Sequence, residues 1–121
     1  MKYFVSPAEK SAIWSTSPNR VASALLNRWP LARITTTADG EFHALEWEID
    51  MAHGSLKGAL NRDGQALILD GAIEDCAEVA LWFRALVPDE QPLLFYDEAF
   101  NEDVELRSAM RVDELINAFG V

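Results

Sequence analysis

Phe42-His43-Ala44-Leu45-Glu46-Trp47-Glu48-Ile49-Asp50-Met51 is the stretch that decides the fold. Successive side chains of a β-strand point to opposite faces. Here His43, Leu45, Trp47, Ile49 and Met51 share one face, while Phe42, Ala44, Glu46, Glu48 and Asp50 share the other. A strand with this alternation puts one face in a core and shows an acidic ladder on the other. Turn signals lie on both sides of it. Asp39-Gly40 and Asp63-Gly64 suit tight hairpins with positive φ, and His53-Gly54 is a weaker version of the same signal. They cut the middle of the chain into four strands, over about 31–37, 42–51, 55–61 and 66–70, which form an antiparallel meander.

Turn length fixes which residues face each other. A two-residue loop at Asp39-Gly40 sets Ile34 opposite Leu45, Ala32 opposite Trp47, Arg33 opposite Glu46 and Thr36 opposite His43. In the second hairpin, a loop centred on Ala52-His53 sets Lys57 opposite Glu48, and one centred on His53-Gly54 sets it opposite Asp50. In either case Arg33 and Lys57 neutralise part of the ladder and leave uncompensated acid.

Beyond Asp70-Gly71 the period changes. Ile73 to Val87 reads as a largely buried helix, with Glu74, Asp75 and Glu78 near its start and Arg84 near its end, an arrangement that complements the helix dipole. Pro88 ends it. Leu93-Leu94-Phe95-Tyr96 reads as an interior strand, so 66–96 is expected to be a β-α-β unit with its two strands paired in parallel. A short strand at Val104 to Leu106 follows, then a helix on Val112, Leu115, Ile116 and Phe119.

Toward the amino terminus, Tyr3 to Val5 is a strand. Ser6-Pro7-Ala8-Glu9 has capping-box spacing for a short helix, and Ser17-Pro18 starts a second one carrying Val21, Leu25 and Trp29 on one stripe. The expected architecture is α+β: a single mixed, mostly antiparallel sheet, built from the four-stranded meander and the β-α-β unit, with helices packed on one face. Trp47, Trp82, Phe83 and Phe95 belong in the helix–sheet interface. At 121 residues and 50% hydrophobic, without a Gly/Ser linker, residues 1–121 read as one domain.

Charge is divided along the chain. Residues 1–37 hold five Lys/Arg and one Asp/Glu, whereas the remainder holds five and 19, giving a net of −10. Phosphate backbones and anionic lipid repel such a surface, so nucleic acid and membrane are poor partners. No apolar run approaches the ~20 residues of a membrane span or the core of a signal peptide. The lone Cys76 allows no intrachain disulfide and reads as a small core hydrophobe. A cytoplasmic setting and no cofactor are expected.

Catalytic patterns are scarce. His43 reads as a core imidazole and His53 as a turn residue, neither with a neighbour at metal-ligand spacing. There is no Gly-rich phosphate loop, Gly-x-Ser-x-Gly elbow or Cys-x-x-Cys. One metal alternative remains: if the strands at 66–70 and 93–97 are parallel neighbours, Asp70 and Asp97 sit at carboxyl ends and, with Glu98, could hold Mg²⁺ for a hydrolase. Two acidic surfaces compete with it. Glu46, Glu48 and Asp50 form the ladder, while Pro88 to Glu105 carries seven acids and no base, with Asp97, Glu98, Glu102 and Asp103 around the apolar anchor Phe100. The plain alternative for the second segment is a solvated loop that guards a sheet edge.

The acidic composition, the strand written Leu45-Glu46-Trp47-Glu48 and the run Leu93-Leu94-Phe95-Tyr96-Asp97-Glu98 resemble the immunity proteins of bacterial toxin and immunity pairs. That resemblance implies an inhibitor that binds and neutralises a basic protein partner, often a toxin nuclease domain. It assigns no residue. Two other classes stay open beside it: the Mg²⁺-dependent hydrolase and a homo-oligomeric structural protein that buries its open sheet face.

Overall fold

The computed structural model describes residues 2–8, 14–36, 43–99 and 103–119. Its elements are β1 (Lys2–Pro7), α1 (Pro18–Arg28), β2 (Arg33–Thr36), β3 (His43–Met51), β4 (Gly54–Asn61), β5 (Leu67–Asp70), α2 (Ile73–Leu86), β6 (Leu93–Asp97), β7 (Asp103–Leu106) and α3 (Val112–Ala118). The fold is α+β around one seven-stranded sheet, in the order β2-β3-β4-β5-β1-β6-β7.

The antiparallel meander β2 to β5 is present in the expected order. The β-α-β expectation needs correction. Residues 67–70 and 93–97 are not paired in parallel: β1 lies between them and is antiparallel to both, with Tyr3 opposite Leu69 on one side and opposite Asp97 on the other. Strands β5 and β6 therefore run in the same direction one strand apart. The physical reason is legible in β1 itself. Tyr3 and Val5 are buried on one side and Phe4 is partly buried on the other, so this short apolar segment gains most where neighbours pair both of its edges. It also runs to Pro7, past the expected end at Val5. The short helix expected after Ser6-Pro7 falls mainly on 9–13, outside the described residues.

The first hairpin is also corrected. Arg33 faces Glu48, Ile34 faces Trp47 and Thr36 faces Leu45, two residues away from the two-residue-loop expectation. An even shift preserves which face each side chain occupies, so the hydrophobic pattern tolerates both registers. The Asp39-Gly40 turn lies outside the described residues. In the second hairpin Lys57 faces Glu48, as a loop on Ala52-His53 requires. A register irregularity between His43 and Leu45 leaves His43 half-buried, with Nδ1 3.5 Å from Glu46 Oε1, and not in the core opposite Thr36. At the third turn Gly64 has φ +72°, and Asn61 Oδ1 accepts the backbone N–H groups of Gln65 and Ala66.

The core gathers alternate strand residues of one sheet face, among them Val5, Leu45, Leu56, Leu69, Leu93 and Phe95. They form one cluster with Val21 and Leu25 of α1, Cys76 to Phe83 of α2 and Leu115 of α3. Of the four aromatics expected there, Trp47, Phe83 and Phe95 are buried. Trp82 is only partly buried and meets Trp29 edge to face at 5.5 Å. Ser17 caps α1 by accepting from the Arg20 N–H at 3.3 Å. The carboxyl end of α2 is closed differently: the buried guanidinium of Arg84 donates to the carbonyls of Val87, Pro88 and Gln91 at 3.1, 2.6 and 2.7 Å. No described helix is long and apolar enough to cross a membrane.

Candidate functional site

The outer sheet face, turned away from the core, carries the predicted acids, and the registers say what each of them meets. Arg33 faces Glu48, Glu48 faces Lys57, Lys57 faces Asp70, and Asp70 faces Lys2. At the end of this line the Glu98 N–H donates to the Lys2 carbonyl, and the Lys2 N–H donates to Glu98 Oε1 at 3.4 Å. The row alternates in sign across the sheet. Arg33 Nη2 lies 2.7 Å from Glu48 Oε1 and 3.4 Å from Asp50 Oδ1. Hydrogen bonding from Arg33, and then its charge, holds the Glu48 carboxyl below its ordinary range, and the same partners raise Arg33. Beside this pair lies an open depression of about 420 Å³, lined by Arg33, Glu46, Glu48 and Lys57, where opposite charges largely cancel.

The ladder expected over Glu46, Glu48 and Asp50 is thus mostly compensated. Glu46 is exposed but stands opposite Thr35, not Arg33.

The other end of the face is different. Next to the charged row runs a second one, Ala59–Ile68–Phe4–Tyr96–Asp103, set by the same registers. Phe4 and Tyr96 stack with ring centroids 5.4 Å apart, and Ser6 Oγ donates to the Tyr96 hydroxyl at 3.1 Å. On the edge strand β7, Val104 and Leu106 turn inward, so Asp103 and Glu105 turn outward, opposite Tyr96 and Leu94, and both are exposed. Among the described residues, Glu98, Asp103 and Glu105 have no cation within ion-pair distance. An aromatic pair is therefore bordered by acid that no cation among the described residues neutralises.

Asp97, placed with this group on sequence grounds, is withdrawn from it. It is buried on the core side, and its Oδ1 accepts the Ala99 N–H at 3.1 Å, the job of a turn-forming aspartate. Phe100 and Glu102 lie outside the described residues. The structure does not bring Asp70 and Asp97 together. Asp70 points to the outer face with Lys2 and Asp97 to the core face with Tyr3, and β1 separates their strands. Among the described residues no three His, Cys, Asp or Glu side chains converge as metal ligands.

A polar contact invisible in the sequence joins the second hairpin to α2. The His53 N–H donates to Asp75 Oδ2 at 3.2 Å, the ring Nδ1 lies 3.1 Å from Asp75 Oδ1, and Nε2 lies 3.6 Å from Glu74 Oε2. Asp75 is buried. No spacing rule connects positions 53 and 75; only the packing of the turn on the first turn of α2 does. Because Asp75 holds two groups of one turn, Asp75→Ala is expected to destabilise the protein by about 1–3 kcal/mol. Asp75→Asn, which keeps an acceptor, should cost less. Urea unfolding of the three proteins checks the order, and equal midpoints would show that the contact does not hold the turn.

Cys76 beside it is fully buried, and burial, with Asp75 and Asp70 adding to it, pushes its thiol up to about 12. A thiol this hard to ionise behaves as core and not as a nucleophile. No protein-family model matches the chain, and no curated protein or solved structure shows significant similarity to it.

Proposed function

We propose that this chain is an acidic protein-binding domain of the immunity or inhibitor kind, which captures a basic protein and occludes it. The observation that carries the reading is the unequal compensation of charge on one sheet face. Glu48 and Asp50 of the meander meet Arg33, and Glu48 also faces Lys57, whereas Glu98, Asp103 and Glu105 border Phe4 and Tyr96 without a cation among the described residues. Uncompensated acid around an aromatic pair gives a basic partner both long-range attraction and an apolar contact to close on. The stacked pair is fixed by its own packing, so little side-chain freedom is lost on docking. With a net charge of −10, approach of a basic protein is accelerated at low salt and slowed as salt screens the field.

The test is capture from the native host at about 50 mM and about 500 mM salt, where exposed charges are weakly and strongly screened. The double variant Asp103→Lys/Glu105→Lys and the single variant Glu48→Gln are run beside the parent chain. The reading expects a basic protein that the parent retains at low salt and releases at high salt, and whose own activity falls when it is bound. Its affinity for the double variant should drop by about tenfold or more, while Glu48→Gln stays within about threefold. A parent chain that retains no basic protein refutes the reading, as does a partner held equally by the double variant.

A further inference from the structure

At the opposite edge of the sheet the surface has another character. Helix α1 ends at Arg28, and the chain turns through Trp29-Pro30-Leu31-Ala32, with the Ala32 N–H donating to the Trp29 carbonyl at 3.0 Å. Proline in the second position of a β-turn fixes its shape. The third position is Leu31, 90% exposed, against 41% for Leu26 and 36% for Leu86. Leu31 forms one wall of an open pocket of about 210 Å³, whose other walls are Trp29, Pro30, Ala32 and Ile49, with two opposite charges, Arg28 and Asp50. An apolar cavity of ~150 Å³ accepts a molecule the size of benzene, so this one has room for a leucine side chain.

We infer that Leu31 and this pocket form a two-fold contact between two copies of the chain, each inserting its Leu31 into the other's pocket. Three observations select a second copy as the occupant. The exposed Leu31 is the rim of its own recess, which lies between the turn and β3, so a two-fold axis can seat each rim in the other copy's recess. The pocket carries one charge of each sign, so the same axis sets Arg28 of either copy against Asp50 of its mate. Asp50 is 78% exposed in its side chain and meets Arg33 through two long contacts, at 3.4 and 3.5 Å, so a second cation can reach it. Finally, among the described residues Arg28 meets Glu78 at 3.1 Å and Arg33 meets Glu48, so acid is partly paired here where at the β7 end it is not. Two copies of an acidic chain can meet here without opposing like charges, and a basic partner has little to draw it here. The pocket is near β2 and the uncompensated acids are near β7, at opposite ends of seven strands and roughly 29 Å apart by strand spacing. The pairing therefore leaves both acidic ends free.

Sedimentation equilibrium over about 1 to 500 µM, the range in which contacts of modest affinity populate, tests the inference. A concentration-dependent approach to twice the 13.5 kDa chain mass is expected. Leu31→Asp should weaken dimerisation by about 100-fold, as loss of a central anchor does. Arg28→Asp and Asp50→Arg should each weaken it, and the double variant should restore it. Circular dichroism confirms that each variant is folded. A parent chain that stays monomeric throughout overturns the inference. So does a dimer indifferent to Leu31→Asp, or a double variant no better than the singles. A monomeric parent whose capture of a basic protein is lost with Leu31→Asp would assign the pocket to that partner and overturn it equally.

Discussion

Replacing Arg84 by methionine is expected to lower stability by about 3 kcal/mol or more, because three carbonyls each lose a charged donor at roughly 1–3 kcal/mol per acceptor left unpaired. Arg84 is 4% exposed, and three main-chain carbonyls take its guanidinium protons. The last carbonyls of a helix have no partner within it, and a glycine beyond the end commonly lets the chain fold back to satisfy them. Here the residue after α2 is Val87 in an extended conformation, followed by Pro88, so the backbone cannot do this. The fork of Arg84 instead ties down the segment just past the helix, reaching the carbonyls of Val87, Pro88 and Gln91 and fixing the path from α2 into β6. Methionine fills similar volume and leaves all three acceptors without those donors. Arg84→Lys should recover only part of the loss, because a single ammonium cannot reproduce the planar fork. Urea unfolding measures the loss, and amide exchange across 87–93 should rise before the rest of the chain does. A methionine variant within about 1 kcal/mol of the parent would refute the account.

Gly58→Ala is expected to cost about 1–3 kcal/mol or more, the penalty of forcing a methyl into a filled core. Gly58 faces Trp47 across β3 and β4, and a Cβ there would overlap the indole at Nε1 and Cε2. The indole is 3% exposed, and its N–H has no hydrogen-bond partner among the described residues. It lies over the glycine despite that unsatisfied donor, so nothing polar holds it there except the fit of ring to bare backbone. The strain is specific to the pair. In a Trp47→Leu background the same Gly58→Ala change should cost much less, and the double-mutant coupling should exceed about 0.5 kcal/mol. Additive losses would mean that the glycine matters for some other reason.

Much of this architecture was readable from residue order. The alternation through Leu45, Trp47 and Ile49 placed β3, and the turns at 52–53 and 63–64 placed its neighbours. Ser17-Pro18 opened α1, and the dipole-matched acids opened α2. What escaped was non-local. The insertion of β1 between β5 and β6 depends on which edge is vacant once the meander has formed, and no local pattern in Tyr3-Phe4-Val5 names its neighbours. The shift in the first hairpin escaped because a two-residue slip keeps every side chain on its face. At the candidate surface, Asp103 and Glu98 were singled out by composition, but Asp97 was not separable from them. An aspartate at a strand end serves equally well as a surface charge or as a turn former, and only burial distinguishes the two. Glu105, the clip between His53 and Asp75, and the carbonyl cradle of Arg84 depend on strand facing and tertiary packing, which no spacing rule encodes.

The place of β1 has a consequence for synthesis on the ribosome. Strand β1 is made before its partners, which lie more than sixty and more than eighty residues downstream. The hairpins of β2 to β5 can close as they emerge, but the seam joining them to β6 and β7 cannot be completed until both flanks of the early strand have been translated. Until then Phe4 and its neighbours must stay out of competing pairings. Contacts this distant in sequence slow folding by the entropy of closing long loops, so β1 is translated before both strands it pairs with and is among the last to be seated.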